Sequence, residues 1–136
     1  MELTKHNEVP ICRNCFHIKK SCKCRKGYIY VDVGILFAIQ TLNMKGYKTT
    51  CSCEGHDKEE LDKYGLKFDG VIGFDKEYEF KEIPEICKLE YYNNTMWLTL
   101  KEDCNATKQD FLREINDWCM RLENINDRKT RRTSNV

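Results

Sequence analysis

Cysteine is the residue through which chemistry first becomes legible in this chain. It occurs nine times, an unusually high count for 136 residues. Cys12 and Cys15 are separated by two residues and Cys22 and Cys24 by one, with a six-residue loop between the pairs. Tetrahedral zinc takes four soft or borderline donors at about 2.0–2.3 Å, and two close pairs joined by a short loop can supply them. The surrounding stretch 11–27 offers only Ile11, Phe16 and Ile18 as apolar material. An ion would supply the missing stability, on the order of 10 kcal/mol in isolated zinc modules. Unliganded thiols and disulfides are the alternatives, but an odd cysteine total leaves a disulfide framework incomplete. His17 stands beside the first pair as a substitute ligand or a loop residue.

A second constellation lies in residues 46–56, GYKTTCSCEGH. Read as a strand, the alternation of side chains puts Cys51 and Cys53 on one face, with Thr49 and Tyr47 behind them. Gly55 permits a sharp turn that could return His56 over Cys53. Three readings stay open for this corner. Cys51, Cys53 and His56 could hold a second metal with a fourth position for water. Cys53 could be a nucleophile beside an imidazole, with Glu54 as the available base. Or Cys53 and His56 could only fix the turn.

Charge divides the chain. Residues 11–27 carry Arg13, Lys19, Lys20, Lys23, Arg25 and Lys26 without one acid, and Arg128, Lys129, Arg131 and Arg132 close the chain the same way. The whole chain is +1, so the part between is acidic. Basic ends on an acidic body direct any polyanion to the ends, although such runs also serve only as solvated surface. Four thiolates around a divalent zinc carry −2, which these cations would offset. No window reaches the ~20 apolar residues of a membrane span. The beginning, MELTKHNEVP, lacks a basic-then-apolar leader. The expected location is the cytoplasm, where thiols stay reduced.

The elements that must position these groups follow from periodicity and punctuation. Residues 1–10 read as an unstructured lead-in and 28–31 as a strand. Asp32 is placed to cap an apolar helix over 33–45, which Gly46 would stop. Residues 57–64 read as two polar helical turns or a charged loop. A strand is expected over about 67–75, and Pro84 excludes a central strand near it. Asn93-Asn94 between two strand-like runs marks a hairpin. Thr107 and Asp110 resemble a capping box, followed by a stripe of Phe111, Leu112, Ile115, Trp118, Cys119, Leu122 and Ile125. Cys87 and Cys104 read as structural or incidental. The expected fold is α+β, two layers, with a small antiparallel or mixed sheet and two main helices, preceded by an N-terminal zinc knuckle. The divisions are a cysteine-rich basic head at 1–27, a body at 28–126 and a disordered basic tail at 127–136.

Leu42-Asn43, Gly46-Tyr47-Lys48-Thr49 and Ser52-Cys53-Glu54-Gly55-His56 together resemble a group of small proteins from phages and Firmicutes. That group shares a helix ending in Leu-Asn-x-x-Gly-Tyr and a strand ending in Ser-Cys-x-Gly-His. The resemblance spans residues 30–126 and omits the cysteine-rich head. Thr49, Ser52, Cys53 and Gly55 also resemble, more distantly, the wybutosine-synthesising protein 3 family of tRNA methyltransferases. Glu54 and His56 depart from that pattern. These resemblances imply a phage or mobile-element protein in the first case and an RNA-modifying enzyme in the second.

The expected function is therefore a small zinc-binding module, with Zn²⁺ as cofactor and nucleic acid or a host protein as partner. Phe16, Tyr28 and Tyr30, interleaved with the head cations, could stack on exposed bases. The runner-up is an enzyme at the Cys51/Cys53/His56 corner.

Overall fold

A computed structural model describes residues 2–126, so the tail expected at 127–136 lies outside the described residues. The first correction concerns the lead-in. Strand β1 (Glu8–Cys12) forms there and pairs antiparallel with β2 (Tyr28–Asp32), from Glu8 opposite Asp32 to Cys12 opposite Tyr28. The cysteine loop is thus the connection of a hairpin. Ile11 and Cys12 are fully buried, and Ile11 joins Val31 in the main core. The head expected to depend on metal alone is also anchored by this strand pair, which crosses the division expected at residue 27.

The expected helix over 33–45 begins as a 3₁₀ turn (Val33–Ile35) and continues as α1 (Leu36–Met44). Asp32 does not cap it. Its carboxylate instead accepts the Glu54 backbone N–H at 3.0 Å. At the other end Gly46 adopts φ +100°, and the N–H groups of Gly46 and Tyr47 return to the carbonyls of Asn43 and Leu42 at 3.1 and 2.9 Å. That is a Schellman closure, which glycine favours because it has no Cβ to clash in the left-handed region.

A four-stranded antiparallel sheet follows in the order β3-β4-β6-β5: β3 (Thr49–Cys53), β4 (Val71–Phe74), β5 (Cys87–Tyr92) and β6 (Thr95–Leu100). Residues 57–64 give α2 (Lys58–Lys63), which buries Leu61. Asn93 and Asn94, at φ 52° and 62°, make the tight β5–β6 turn, the conformation a two-residue hairpin needs. The final helix α3 (Lys108–Arg121) starts in a full capping box, with Thr107 Oγ1 accepting from Asp110 N at 3.1 Å and Asp110 Oδ2 from Thr107 N at 2.9 Å.

The fold is α+β. One face of the sheet contributes Ile72, Phe74, Met96, Leu98 and Leu100 to the core. Against it pack Ala38, Ile39 and Leu42 of α1 and Phe111, Ile115, Trp118 and Cys119 of α3. Lys45 fastens the helices together, its ammonium donating to the carbonyls of Cys119, Met120 and Leu122 at 2.8, 2.9 and 2.8 Å. A cation there meets the negative end of the α3 dipole. Among the described residues, no helix is long and apolar enough to cross a membrane.

A bulge between Thr49 and Cys51 alters the simple alternation expected of β3. Thr49 pairs with core-facing Phe74, whereas Cys51 pairs with Gly73, the next residue on β4. Thr49 and Cys51 therefore lie on opposite faces. Asn43, buried in α1, uses this shift: its Oδ1 accepts from Thr49 N at 3.1 Å and its Nδ2 donates to Thr49 Oγ1 at 3.0 Å.

Candidate metal centre

The hairpin loop gathers the sulfurs of Cys12, Cys15, Cys22 and Cys24 within 4.8 Å of one another. In a tetrahedron with Zn–S near 2.3 Å, neighbouring sulfurs lie about 3.8 Å apart, so the set needs little adjustment to grip one ion. Among the described residues all nine cysteines are free of disulfides. The β1–β2 register holds Cys12 in place, and Phe16 and Arg25, at φ 63° and 54°, bend the chain just after each pair. His17 uses its backbone, its carbonyl accepting from Cys12 N at 2.9 Å.

Donors already surround the sulfurs. Asn14 N and Cys15 N approach Cys12 Sγ at 3.2 and 3.4 Å, Cys24 N approaches Cys22 Sγ at 3.2 Å, and Asn14 Nδ2 approaches Cys24 Sγ at 3.4 Å. Such N–H groups are the outer support of a thiolate metal site. The Cys15 N–H, opposed by desolvation and aided by Asn14, lowers the Cys12 thiol to about 6. The Cys24 N–H favours the Cys22 thiolate, but desolvation and the adjoining thiols carry Cys22 up to about 12. One thiol ionises readily and a neighbour resists, because negative charges accumulate in one place. A divalent cation removes that conflict. The residues present thus fit a metal ion.

All six head cations, Arg13, Lys19, Lys20, Lys23, Arg25 and Lys26, are exposed around this loop. Lys19 Nζ stands 5.3 Å from the Tyr28 ring centroid, and Arg13 Nε donates to Tyr28 O at 3.4 Å. Tyr30 is 68% exposed.

The corner at residues 46–56 is assembled differently from the sequence-based expectation. Cys51, Cys53 and His56 do not form a donor group within 4.8 Å among the described residues. Cys51 is exposed over Gly73, where an added Cβ would lie 3.0 Å from its sulfur. His56 is committed elsewhere: Nδ1 lies 2.5 Å from Asp69 Oδ2 and Nε2 2.9 Å from Thr4 O. Desolvation lowers its pKa, but the bonds to Asp69 and Thr4 outweigh it and the net direction is up. The turn at Gly55, φ +85°, forms as expected, yet it lays the imidazole beside Asp69 rather than over Cys53.

Cys53 has another histidine. His6 Nε2 lies 3.6 Å from Cys53 Sγ and 4.0 Å from Asp32 Oδ2, and the three donor atoms fall within 4.8 Å of one another. His6 Nδ1 meets Glu54 Oε1 at 2.7 Å, and Lys108 Nζ reaches the same oxygen at 3.6 Å. The His6 and His56 rings stack with centroids 4.2 Å apart. Glu54, expected as a free base, is instead a buried partner of His6 and Lys108. Burial and the nearby carboxylates of Asp69, Asp32 and Glu54 push the Cys53 thiol up, against the Gly55 N–H. A raised thiol is the opposite of an activated nucleophile.

His6 and Asp32 are the residues sequence reasoning missed. His6 stands in the segment expected to lack structure, and Asp32 had a local role available as a helix cap. No short spacing links either to Cys53. Comparisons with protein-family models, with curated proteins and with solved structures return no match.

Proposed function

We propose that this chain is a zinc-binding module that holds nucleic acid through its cysteine-rich head. The observation that carries this reading is the convergence of Cys12, Cys15, Cys22 and Cys24 beneath six exposed cations in a stretch without acids. Soft thiolate donors in a closed set of four favour zinc in a structural role over harder divalent ions. The ion would fix the loop and so fix the spacing of the cations. Six positive side chains exceed the −2 of a zinc tetrathiolate, which leaves the surface attractive to phosphate. Tyr30 adds an exposed ring on the same hairpin, suited to stacking on an unpaired base.

The test is anisotropy of labelled single-stranded RNA and duplex DNA across a salt series. Neutralising three to four phosphates gives a log–log slope of about −2 to −3.5. Lys20→Glu with Lys23→Glu should make that slope shallower by about 2. A flat response to salt removes the nucleic-acid reading. The second reading, a host protein as partner, is favoured by the resemblance of residues 42–56 to phage-borne proteins, which concerns the body and not the head.

A further inference from the structure

The cluster at His6 shares no residue with the cysteine loop and combines an imidazole, a carboxylate and a single thiol where the loop has four thiols. We propose that His6 Nε2, Asp32 Oδ2 and Cys53 Sγ form a second metal site, for a zinc-class divalent ion with one coordination position left open.

Three observations bear on it. The donors come from three separate segments: the residues before β1, the end of β2 and the end of β3. Their separations from His6 Nε2 stand against tetrahedral edges of about 3.5 Å for nitrogen–sulfur and about 3.3 Å for nitrogen–oxygen: Cys53 Sγ, at 3.6 Å, already lies close to that edge, and Asp32 Oδ2, at 4.0 Å, has to draw in by about 0.7 Å, within reach of a side-chain rotation. Two of the donors, His6 and Asp32, also have an outer partner. Glu54 takes the Nδ1 side of His6 at 2.7 Å, which fixes the ring and leaves Nε2 for the ion. Carboxylate–histidine–metal is a recurrent arrangement, and losing such a partner typically costs 10–100-fold in metal affinity. The Glu54 N–H holds Asp32 Oδ2 at 3.0 Å.

Charge points the same way. Asp32 and Glu54 are both at least nine-tenths buried, and Cys53 is a further potential anion beside them. Lys108 serves Glu54, at 3.6 Å. His6 is left to answer both carboxylates, and it does so at 2.7 Å to Glu54 but only 4.0 Å to Asp32. A divalent ion would meet Asp32 and Cys53 directly and leave His6 to bridge.

Three protein ligands and one open position are the pattern of sites that bind an exogenous ligand. A cleft of about 360 Å³ adjoins His6 and is lined also by His56, Glu54, Gly34 and Lys108. Glu54, Asp57 and Glu60 also line the cleft, so the ligand suited to it is a neutral oxygen donor, water first, drawn by the metal.

The proposal does not rest on the cysteine loop, and its test is a subtraction that the loop does not affect. Full-length protein is loaded with excess Zn²⁺, desalted and analysed for metal per chain, beside His6→Ala and Cys53→Ser. Each variant should hold one equivalent fewer than the parent, whatever the loop retains. Equal stoichiometry in parent and variants overturns the site. Because truncating His6 can unfold a small domain, the unmodified protein is also titrated with Co²⁺. One binding step should show thiolate-to-cobalt absorption about a quarter that of a four-thiolate step, as one sulfur against four requires. A titration without a step of that intensity overturns the assignment too. Glu54→Gln should weaken that step by 10–100-fold and leave the four-thiolate step unchanged.

Discussion

Gly34 faces Glu54 so closely that a Cβ at position 34 would lie 1.7 Å from Glu54 Oε2 and 2.9 Å from its Cδ. The absence of a side chain on the turn before α1 is what lets the buried carboxylate reach His6. Gly34→Ala must push Glu54 aside, break its 2.7 Å contact with His6 and strand a charge in a buried place. The expected loss is about 1–3 kcal/mol, the range for disrupted charged hydrogen bonds. Chemical denaturation measures it. In a Glu54→Ala background the same glycine substitution should cost little, and equal costs in both backgrounds would exclude this coupling.

Metal removal should affect the body as well as the head. β1 carries Cys12 into the loop and Ile11 into the main core, so an unravelled loop loosens a strand of the body. Chelation, or Cys22→Ser, should lower the calorimetric midpoint by about 10 °C or more, since 1 kcal/mol moves it by roughly 3–6 °C for a chain of this length. An unchanged body transition would show that the hairpin stands without the ion.

Asn43 joins α1 to β3. Its amide donates to Ile39 O at 2.7 Å and Thr49 Oγ1 at 3.0 Å and accepts from Thr49 N. Asn43→Leu keeps the branched outline of the side chain but leaves the Thr49 N–H without its acceptor beside the bulge. We expect a loss of about 2–3 kcal/mol in urea unfolding, the cost of orphaned polar groups in a buried place. Thr49→Val, which removes only the hydroxyl partner, should cost about 1 kcal/mol or less.

The capping box gives a pH-dependent prediction. The Thr107 backbone N–H, the Thr107 hydroxyl and Arg113 hold the Asp110 carboxyl below its ordinary 3.8. A depressed folded-state pKa contributes stability above the unfolded value, and that contribution fades as pH falls through the folded one. Asp110→Asn should therefore lower the melting temperature near neutrality, and the gap to the parent should close as pH falls below the ordinary carboxyl value of 3.8. Thr107→Ala should cost about 1 kcal/mol at all pH values above that window. Melting curves across a pH series measure both, and a gap that stays open in acid would remove the charge argument.

Much of this protein is legible along the chain because the relevant physics is local. The capping box at Thr107 and Asp110 closes within one helical turn. Asn93-Asn94 can occupy the left-handed region themselves, and Gly46 ends α1 through bonds to residues just before it. The four head cysteines converge because twelve residues of loop cannot carry them far apart once the hairpin closes. The His6, Asp32 and Cys53 donors, by contrast, meet only through tertiary packing. The β1–β2 hairpin lies against β3, and the Thr49 bulge sets which side of that strand each cysteine takes. Chain spacing specifies a contact only where few dihedrals intervene. Across the distances that separate these three donors, burial of Ile11 and Val31 against the shared core decides which histidine reaches Cys53.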